Sequence, residues 1–276
     1  MSERWLAYGR GYVARALEAR IGPTLATSRR PTEGQIDATD GAGLAEALRS
    51  VEAVLVSAPP DDHGCPGLRA LTPGLEGGAR PRWIGYLSST SVYGDLGGRW
   101  AYEASPLKGR SLQAARRTAA ERDWLALGRR LGLAVCVFRL GAIYGPGRSA
   151  LDRVGDTVIR KPAQVFSRAH VDDIASALEA SLRRPRAGGV YNVADDRPSS
   201  AESVTACAAA LLGLPAPRPI AFAEAELSEE GRRFWQECRR VSNARLKAEL
   251  GWRPTYPSYV EGLDAIASTF KDGSGR

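Results

Sequence analysis

The sequence predicts an α/β protein built on a doubly wound parallel sheet. Three observations carry that expectation. Short apolar runs alternate with helix-periodic stretches through the first half of the chain. Those runs are apolar at successive residues, so both faces of each strand are expected to be buried, as in a parallel sheet covered by helices on both sides. A glycine-bearing turn, Gly9-Arg10-Gly11-Tyr12-Val13-Ala14, follows the first apolar run and opens the first helix.

Trp5-Leu6-Ala7-Tyr8 reads as the first strand, and Tyr12 to Arg20 as the helix after it, with Val13, Ala16 and Leu17 at helical spacing. Thr24 to Thr27 and Gln35 to Asp37 read as the second and third strands, and Leu44 to Arg49 as a helix. Ala53 to Ser57 is a fourth strand, stopped by Pro59-Pro60. Arg82 to Ser88 is a fifth, Ala114 to Leu131 a long amphipathic helix, and Ala134 to Arg139 a sixth strand. The second half is less regular. Asp172 to Leu182 reads as a helix, Val190 to Val193 as a strand, and Ser200 to Leu212 as a helix ending at Gly213. Leu214 to Pro219, with three prolines, reads as an extended linker. Asn243 to Leu250 and Tyr259 to Phe270 read as closing helices.

A chain of 276 residues suffices for one large domain, or for one domain with a smaller lobe. Hydrophobic content of 43% and charged content of 25% are ordinary for a globular protein. No apolar run approaches a membrane span. Met1-Ser2-Glu3-Arg4 leads straight into the first strand without a signal-peptide pattern, so a cytoplasmic protein is expected. The net charge of +7 rests on 34 arginines and four lysines, often paired as in Arg29-Arg30, Arg116-Arg117 and Arg239-Arg240. This pattern reads as a solvated basic surface that also attracts phosphate-bearing ligands; no motif points to nucleic acid. Cys65, Cys136, Cys207 and Cys238 share no metal spacing and read as unpaired thiols. With two histidines in the chain, no metal site is expected.

The glycine turn has the physical features of a dinucleotide-binding loop. Gly9 suits the tight turn, and Gly11 presents no side chain to block a pyrophosphate seated on the helix N-terminus. Ala14 replaces the third glycine, and Tyr12 and Val13 complete the loop. The second strand ends Thr27-Ser28-Arg29-Arg30-Pro31, without the acid that holds the ribose hydroxyls of NAD(H). Guanidinium groups pair with a 2′-phosphate in a forked geometry, so NADP(H) is expected over NAD(H), with Ser28, Arg29 and Arg30 at the phosphate.

Four further segments follow that loop in order. They are Ser88-Ser89-Thr90-Ser91-Val92-Tyr93-Gly94, Phe138 to Arg148, Arg168-Ala169-His170-Val171-Asp172-Asp173, and Val241 to Trp252. Together they resemble an extended short-chain dehydrogenase/reductase of the NAD-dependent epimerase/dehydratase type, over nearly the whole chain. The resemblance implies a Rossmann-type domain at residues 1–145, with 168–195 returning to it, and a small substrate lobe from 146–167 and 196–276. It implies Asp37 at the adenine amino group, Ser57-Ala58-Pro59 beside the ribose and nicotinamide, and Ser88 and Tyr144 in the cofactor-facing set. It places Ser89 as the catalytic hydroxyl and Thr90 and Arg148 at the substrate. It also suggests a homodimer through the helix after Pro66 and the helix of residues 114–131.

The resemblance stops at the proton-transfer pair. The family carries Tyr-x-x-x-Lys, and none of the nine tyrosines here has a lysine four residues on. Counting back from Ala120-Glu121 puts Gln113 and Arg117 at those two places; aligning Gly109-Arg110-Ser111 with the family's Gly-Arg-Ser puts Lys108 and Leu112 there. Glutamine exchanges no proton near neutral pH, and arginine stays charged. Thr90-Ser91 stands where family dehydratases carry Asp-Glu, so dehydratase chemistry is not expected. Tyr93, beside the site, and Tyr102, on the following loop, are the tyrosines available to stand in, and His170 reads as a hinge residue. The expected function is an NADP(H)-dependent oxidoreductase or epimerase of atypical mechanism, acting on a small carbonyl, hydroxyl or sugar-type substrate. The alternative is a catalytically inactive NADP-binding sensor or scaffold.

Overall fold

The computed structural model describes residues 4–271. Met1-Ser2-Glu3, on which the reading of the N-terminus rests, lies outside them. Seven parallel strands form one sheet: β1 (Trp5–Tyr8), β2 (Leu25–Ser28), β3 (Gln35–Asp37), β4 (Ala53–Val56), β5 (Trp83–Ser89), β6 (Val135–Leu140) and β7 (Gly189–Val193). Their order is β3-β2-β1-β4-β5-β6-β7. The order reverses between β1 and β4, and at such a reversal a crevice opens beyond the strand ends.

Both faces are covered, as the apolar runs require. On one face Val13 and Leu17 of α1 (Tyr12–Ile21) and Ile174 and Leu178 of α5 (Val171–Arg183) pack on Trp5, Ala7, Leu55 and Phe138. On the other lie Leu44 and Leu48 of α2 (Gly41–Ser50), Leu71 and Leu75 of α3 (Pro66–Glu76), and Trp124 and Leu127 of α4 (Leu112–Leu131). These pack on Leu6, Val54, Val56 and Val137. Caps set the helix limits. Asp40 accepts from the N–H groups of Ala42 and Gly43, and Ser111 from that of Ala114, while Gly132 ends α4 in the left-handed region at φ 68°.

The remaining helices are α6 (Ala201–Leu211), α7 (Glu229–Gln236), α8 (Ala244–Leu250) and α9 (Tyr259–Lys271). Val204 and Ala208 of α6 and Leu263 and Ile266 of α9 form a separate core with Tyr144 and Leu151. α8 joins the sheet instead, since Leu246, Leu250 and Trp252 belong to the core under α1 and α5. Among the described residues no helix is long and apolar enough to cross a membrane.

The second half holds elements that the sequence reading did not expect, among them the strands Ala142–Tyr144, Thr157–Arg160 and Arg168–His170. The expected linker ends in a strand, Arg218–Ala221, paired in parallel with Thr157–Arg160. Arg218 and Phe222 donate to Asp156 and Arg160, and Pro219 falls at the alternate position where no N–H is called for. Helix α7 was not expected; half of its eight residues are charged, and Phe234 and Trp235 alone are too few apolar residues to mark a helix by periodicity.

Candidate active site

Gly9 turns the chain off β1 at φ +92°, and a Cβ there would sit 3.1 Å from Ser57 Oγ and 3.2 Å from Ala58 N. Its N–H donates to Thr27 Oγ1 at 3.1 Å, and Ser57 Oγ donates to its carbonyl. The N–H groups of Ser57 and Ala58 both reach Tyr8 O. The ends of β1, β2 and β4 are thus tied together around the glycine turn, with the exposed Pro59 following. A Cβ on Gly11 would meet nothing within 4 Å, no side chain caps α1, and its first turn holds no acid. The start of α1 therefore presents unpaired N–H groups to open space, as an anion requires. Val13 and Ala14 are buried, and they contribute through the main chain and by packing.

At the end of β2, Ser28 Oγ is engaged with the main chain of Arg30. Arg29 and Arg30 are exposed and form no ion pair among the described residues. Asp37 accepts from Thr39 N and Oγ1 at 2.8 and 2.7 Å, and these two bonds hold its carboxyl below the usual range. The geometry around Gly9 and Gly11 fits a nicotinamide dinucleotide.

Tyr12 links this turn to the loop after β6. Its hydroxyl donates to Pro146 O at 2.9 Å, and the Arg148 guanidinium stands over its ring. Arg148 therefore stands beside the glycine turn at the start of α1. Tyr144 differs from expectation. Its ring is buried with α9, its hydroxyl donates to Ser258 O at 3.3 Å, and a Cβ on Gly262 would overlap it. It is a packing residue of the second core, turned away from the crevice. His170 is buried between Tyr144 and Tyr256, its Nδ1 accepts from Asp172 N at 3.2 Å, and burial lowers its pKa.

Successive residues of β5 point to opposite sides. Ser88 points inward, where its Oγ donates to Glu121 Oε1 at 2.5 Å. Glu121 is held by Arg139 through Nη2–Oε2 at 2.7 Å, and both side chains are almost fully buried. Arg139 Nη1 donates to the Tyr93 hydroxyl at 2.9 Å, and that hydroxyl donates to Asn192 Oδ1 at 2.6 Å. Tyr93 is fully buried, and burial raises its pKa. Ser88 and Tyr93 are thus members of an interior network that ties β5, β6, β7 and α4 together, a correction to their expected cofactor and catalytic places. Tyr102 is 53% exposed on the surface loop, outside the cleft.

Ser89 faces the other way, into a cleft of about 580 Å³. Thr90, Gln113 and Arg117 line the same cleft, so the structure gathers four of the expected site residues. Ser89 Oγ accepts from Ser91 N at 3.1 Å, which leaves its proton free to donate. Arg117 Nη1 donates to Leu87 O at 2.9 Å. The opposite wall comes from Phe166 and from α7 and the segment after it, with Glu229, Glu230, Arg233, Phe234, Glu237 and Arg239. The rings of Phe166 and Phe234 stack at 5.0 Å with 3° between their planes. No tyrosine, lysine, histidine or cysteine lines this cleft.

A profile of the NAD-dependent epimerase/dehydratase family matches residues 79–194. A conserved protein of unknown function from Silicibacter pomeroyi DSS is 39% identical, with a TM-score of 0.84, over 98% of this chain and 99% of that one. The chain belongs to the NAD-dependent epimerase/dehydratase family. A 3-diazoavenalumate denitrifying reductase from a Streptomyces species is 36% identical over 143 residues. That match covers 48% of this chain and 46% of the reductase, so the chain spans less than half of that curated relative. RMD from Pseudomonas aeruginosa, complexed with NADPH, has a TM-score of 0.76 at 21% identity over 98% of this chain and 99% of that one, a likeness of fold.

Within this epimerase/dehydratase fold, the wall supplied by α7 was not found from the sequence. One local signal was present: Ser228-Glu229-Glu230 is a helix start, with a capping hydroxyl followed by two acids. Phe166 lies in a stretch with no apolar periodicity, and only the fold brings it to the end of β5.

Proposed function

We propose that this chain is an NADP(H)-dependent reductase of a small carbonyl or otherwise electrophilic substrate, working without the tyrosine–lysine pair. The carrying observation is the cleft itself. It joins the donor Ser89 at the end of β5 to carboxylates and guanidinium groups from α4 and α7. A cofactor sensor has no need of titratable groups there, which favours the enzymatic reading. The Streptomyces relative, a reductase by its name, supports the reducing direction. The stacked Phe166 and Phe234 suit a planar substrate.

The dinucleotide pyrophosphate would be held at the first turn of α1, with Arg148 above it and Arg29-Arg30 at the 2′-phosphate. When bound, the nicotinamide supplies the hydride. Ser89 donates to the substrate oxygen and holds it in place as charge develops there. Arg117, held by its bond to Leu87 O, acts by orientation and electrostatics. As part of this reading the chain forms a homodimer through α3 and α4 and works in the cytoplasm.

The test is calorimetric titration with NADPH, followed by NADPH oxidation with 4-nitrobenzaldehyde and phenanthrenequinone as planar carbonyl probes. Binding and slow turnover, reduced by Ser89→Ala, are expected. Failure to bind either NADPH or NADH would sink the proposal.

A further inference from the structure

The α4 position that one of the two alignments gives to the family's tyrosine makes a direct bond to another part of the chain. Gln113 Nε2 donates to Glu230 Oε1 at 2.9 Å, joining α4 to the first turn of α7 inside the cleft that Ser89 lines. Ser228 caps that turn, its Oγ accepting from Gly231 N at 3.1 Å, and the field of a helix start favours a carboxylate there. The other charges of the cleft are paired, except Arg117, which bonds to Leu87 O and forms no ion pair among the described residues. Arg233 pairs with Glu229, Arg239 with Glu237 at 2.6 Å, and Arg116 with Asp62. Glu230 forms no ion pair among the described residues. Its partner is a neutral amide, which fixes one carboxyl oxygen in space.

We propose that Glu230 is the catalytic acid–base of this chain and Gln113 its positioning residue, an assignment that rests on the reductase reading. In the reducing direction a hydride from the nicotinamide dinucleotide forms the new C–H bond, and the C=O π pair moves to oxygen. The Glu230 carboxyl gives its proton to that oxygen, which Ser89 holds. In the reverse direction the Glu230 carboxylate takes the hydroxyl proton as the hydride leaves carbon. Glu230 is open to solvent, so its proton is replaced from water after each turnover. The charged groups facing it are Arg116 and Arg117 from α4, Glu229 and Arg233 from α7, and Glu237 and Arg239 from the segment that follows.

Two measurements test the assignment on the full chain. The first is ¹⁵N NMR of the Gln113 side-chain amide between about pH 3 and about pH 7, the range in which carboxyls titrate. The signal is expected to move with pH in the unmodified protein and to stay still in Glu230→Gln, which preserves shape and the hydrogen-bond acceptor. The second is single-turnover NADPH oxidation by 4-nitrobenzaldehyde as a function of pH. Glu230→Gln is expected to lower the rate by about 100- to 10,000-fold and to flatten the profile. Gln113→Ala shifts the profile while retaining part of the rate, and Glu226→Gln, outside the cleft, leaves both unchanged. An amide signal indifferent to pH, or a Glu230→Gln variant with the unmodified rate, overturns the proposal. No reduction by the unmodified protein, with the amide titrating as expected, overturns the reductase reading and the catalytic assignment with it, while the Gln113–Glu230 bond stands.

Discussion

The guanidinium of Arg148 lies 6.0 Å from the centre of the Tyr12 ring, directly above the start of α1. The contact joins the loop after β6 to the turn after β1. Tyr12 pins that loop by donating to Pro146 O, so Arg148 stands over the open start of α1, where the proposed reading seats the pyrophosphate. Arg148→Ala is therefore expected to weaken NADPH binding by about ten- to a hundredfold, equivalent to about 1.5–3 kcal/mol for a hydrogen bond to a charged group. Calorimetry checks this, and an unchanged affinity would return Arg148 to the substrate side.

Cofactor choice is expected to rest on Arg29 and Arg30, which have no ion pair among the described residues and follow a β2 that itself ends without an acid. NADPH binds more tightly than NADH by roughly 1–3 kcal/mol if the 2′-phosphate meets a guanidinium. Changing both arginines to alanine brings the two affinities together, chiefly by weakening NADPH. Equal affinities in the unmodified protein count against this origin of preference.

The Glu121–Arg139 pair is buried on both sides, so removing one partner leaves the other charged and desolvated. Glu121→Ala is expected to destabilise the fold by about 3–5 kcal/mol, a size typical of breaking such a pair. Glu121→Gln keeps one acceptor and costs less. Thermal unfolding reads the difference, and a variant with unchanged Tm would show that Tyr93 and Asn192 alone hold this interior.

Burial raises the Asp173 carboxyl to about 6 and that of Asp195 to about 7. The folded chain therefore keeps protons that the unfolded chain releases near pH 4, and this contribution to stability is lost as pH rises to about 7. His170, lowered by burial, acts with the opposite sign and costs stability as pH falls below its ordinary range. Asp195→Asn is expected to shrink the Tm difference between about pH 5 and about pH 8. An unaltered pH dependence would place the titration elsewhere.

The sheet was legible because its central strands β1, β4 and β6 are buried along both faces and each helix on that sheet carries a regular buried stripe. The dinucleotide turn was legible because Gly9 and Gly11 act locally, within a few residues of their own strand. The cleft was legible on one wall only. Ser89, Thr90, Gln113 and Arg117 sit on elements with strong periodicity and could be placed by counting. Phe166 and Glu230 face them across the fold, on segments whose pattern says little. Ser88 and Tyr93 misled for a simpler reason: a hydroxyl beside a site looks the same in sequence whether it points into the cleft or into Glu121 and Asn192.

The place of β7 in the sheet has a consequence for how the chain is made. β7 covers the outer edge of β6, yet it is translated after the excursion that begins at Ala142. Val135, Cys136, Val137, Phe138 and Leu140 are buried in the finished protein. Until residue 193 emerges, β6 is an open edge, apolar on both faces, the kind of surface that pairs with other chains. At roughly 5–20 residues per second that window lasts about 3–10 s. Ribosomes stalled within it, or fragments ending before Gly189, would present an adhesive strand to the cell, and growing chains on neighbouring ribosomes would be its nearest partners.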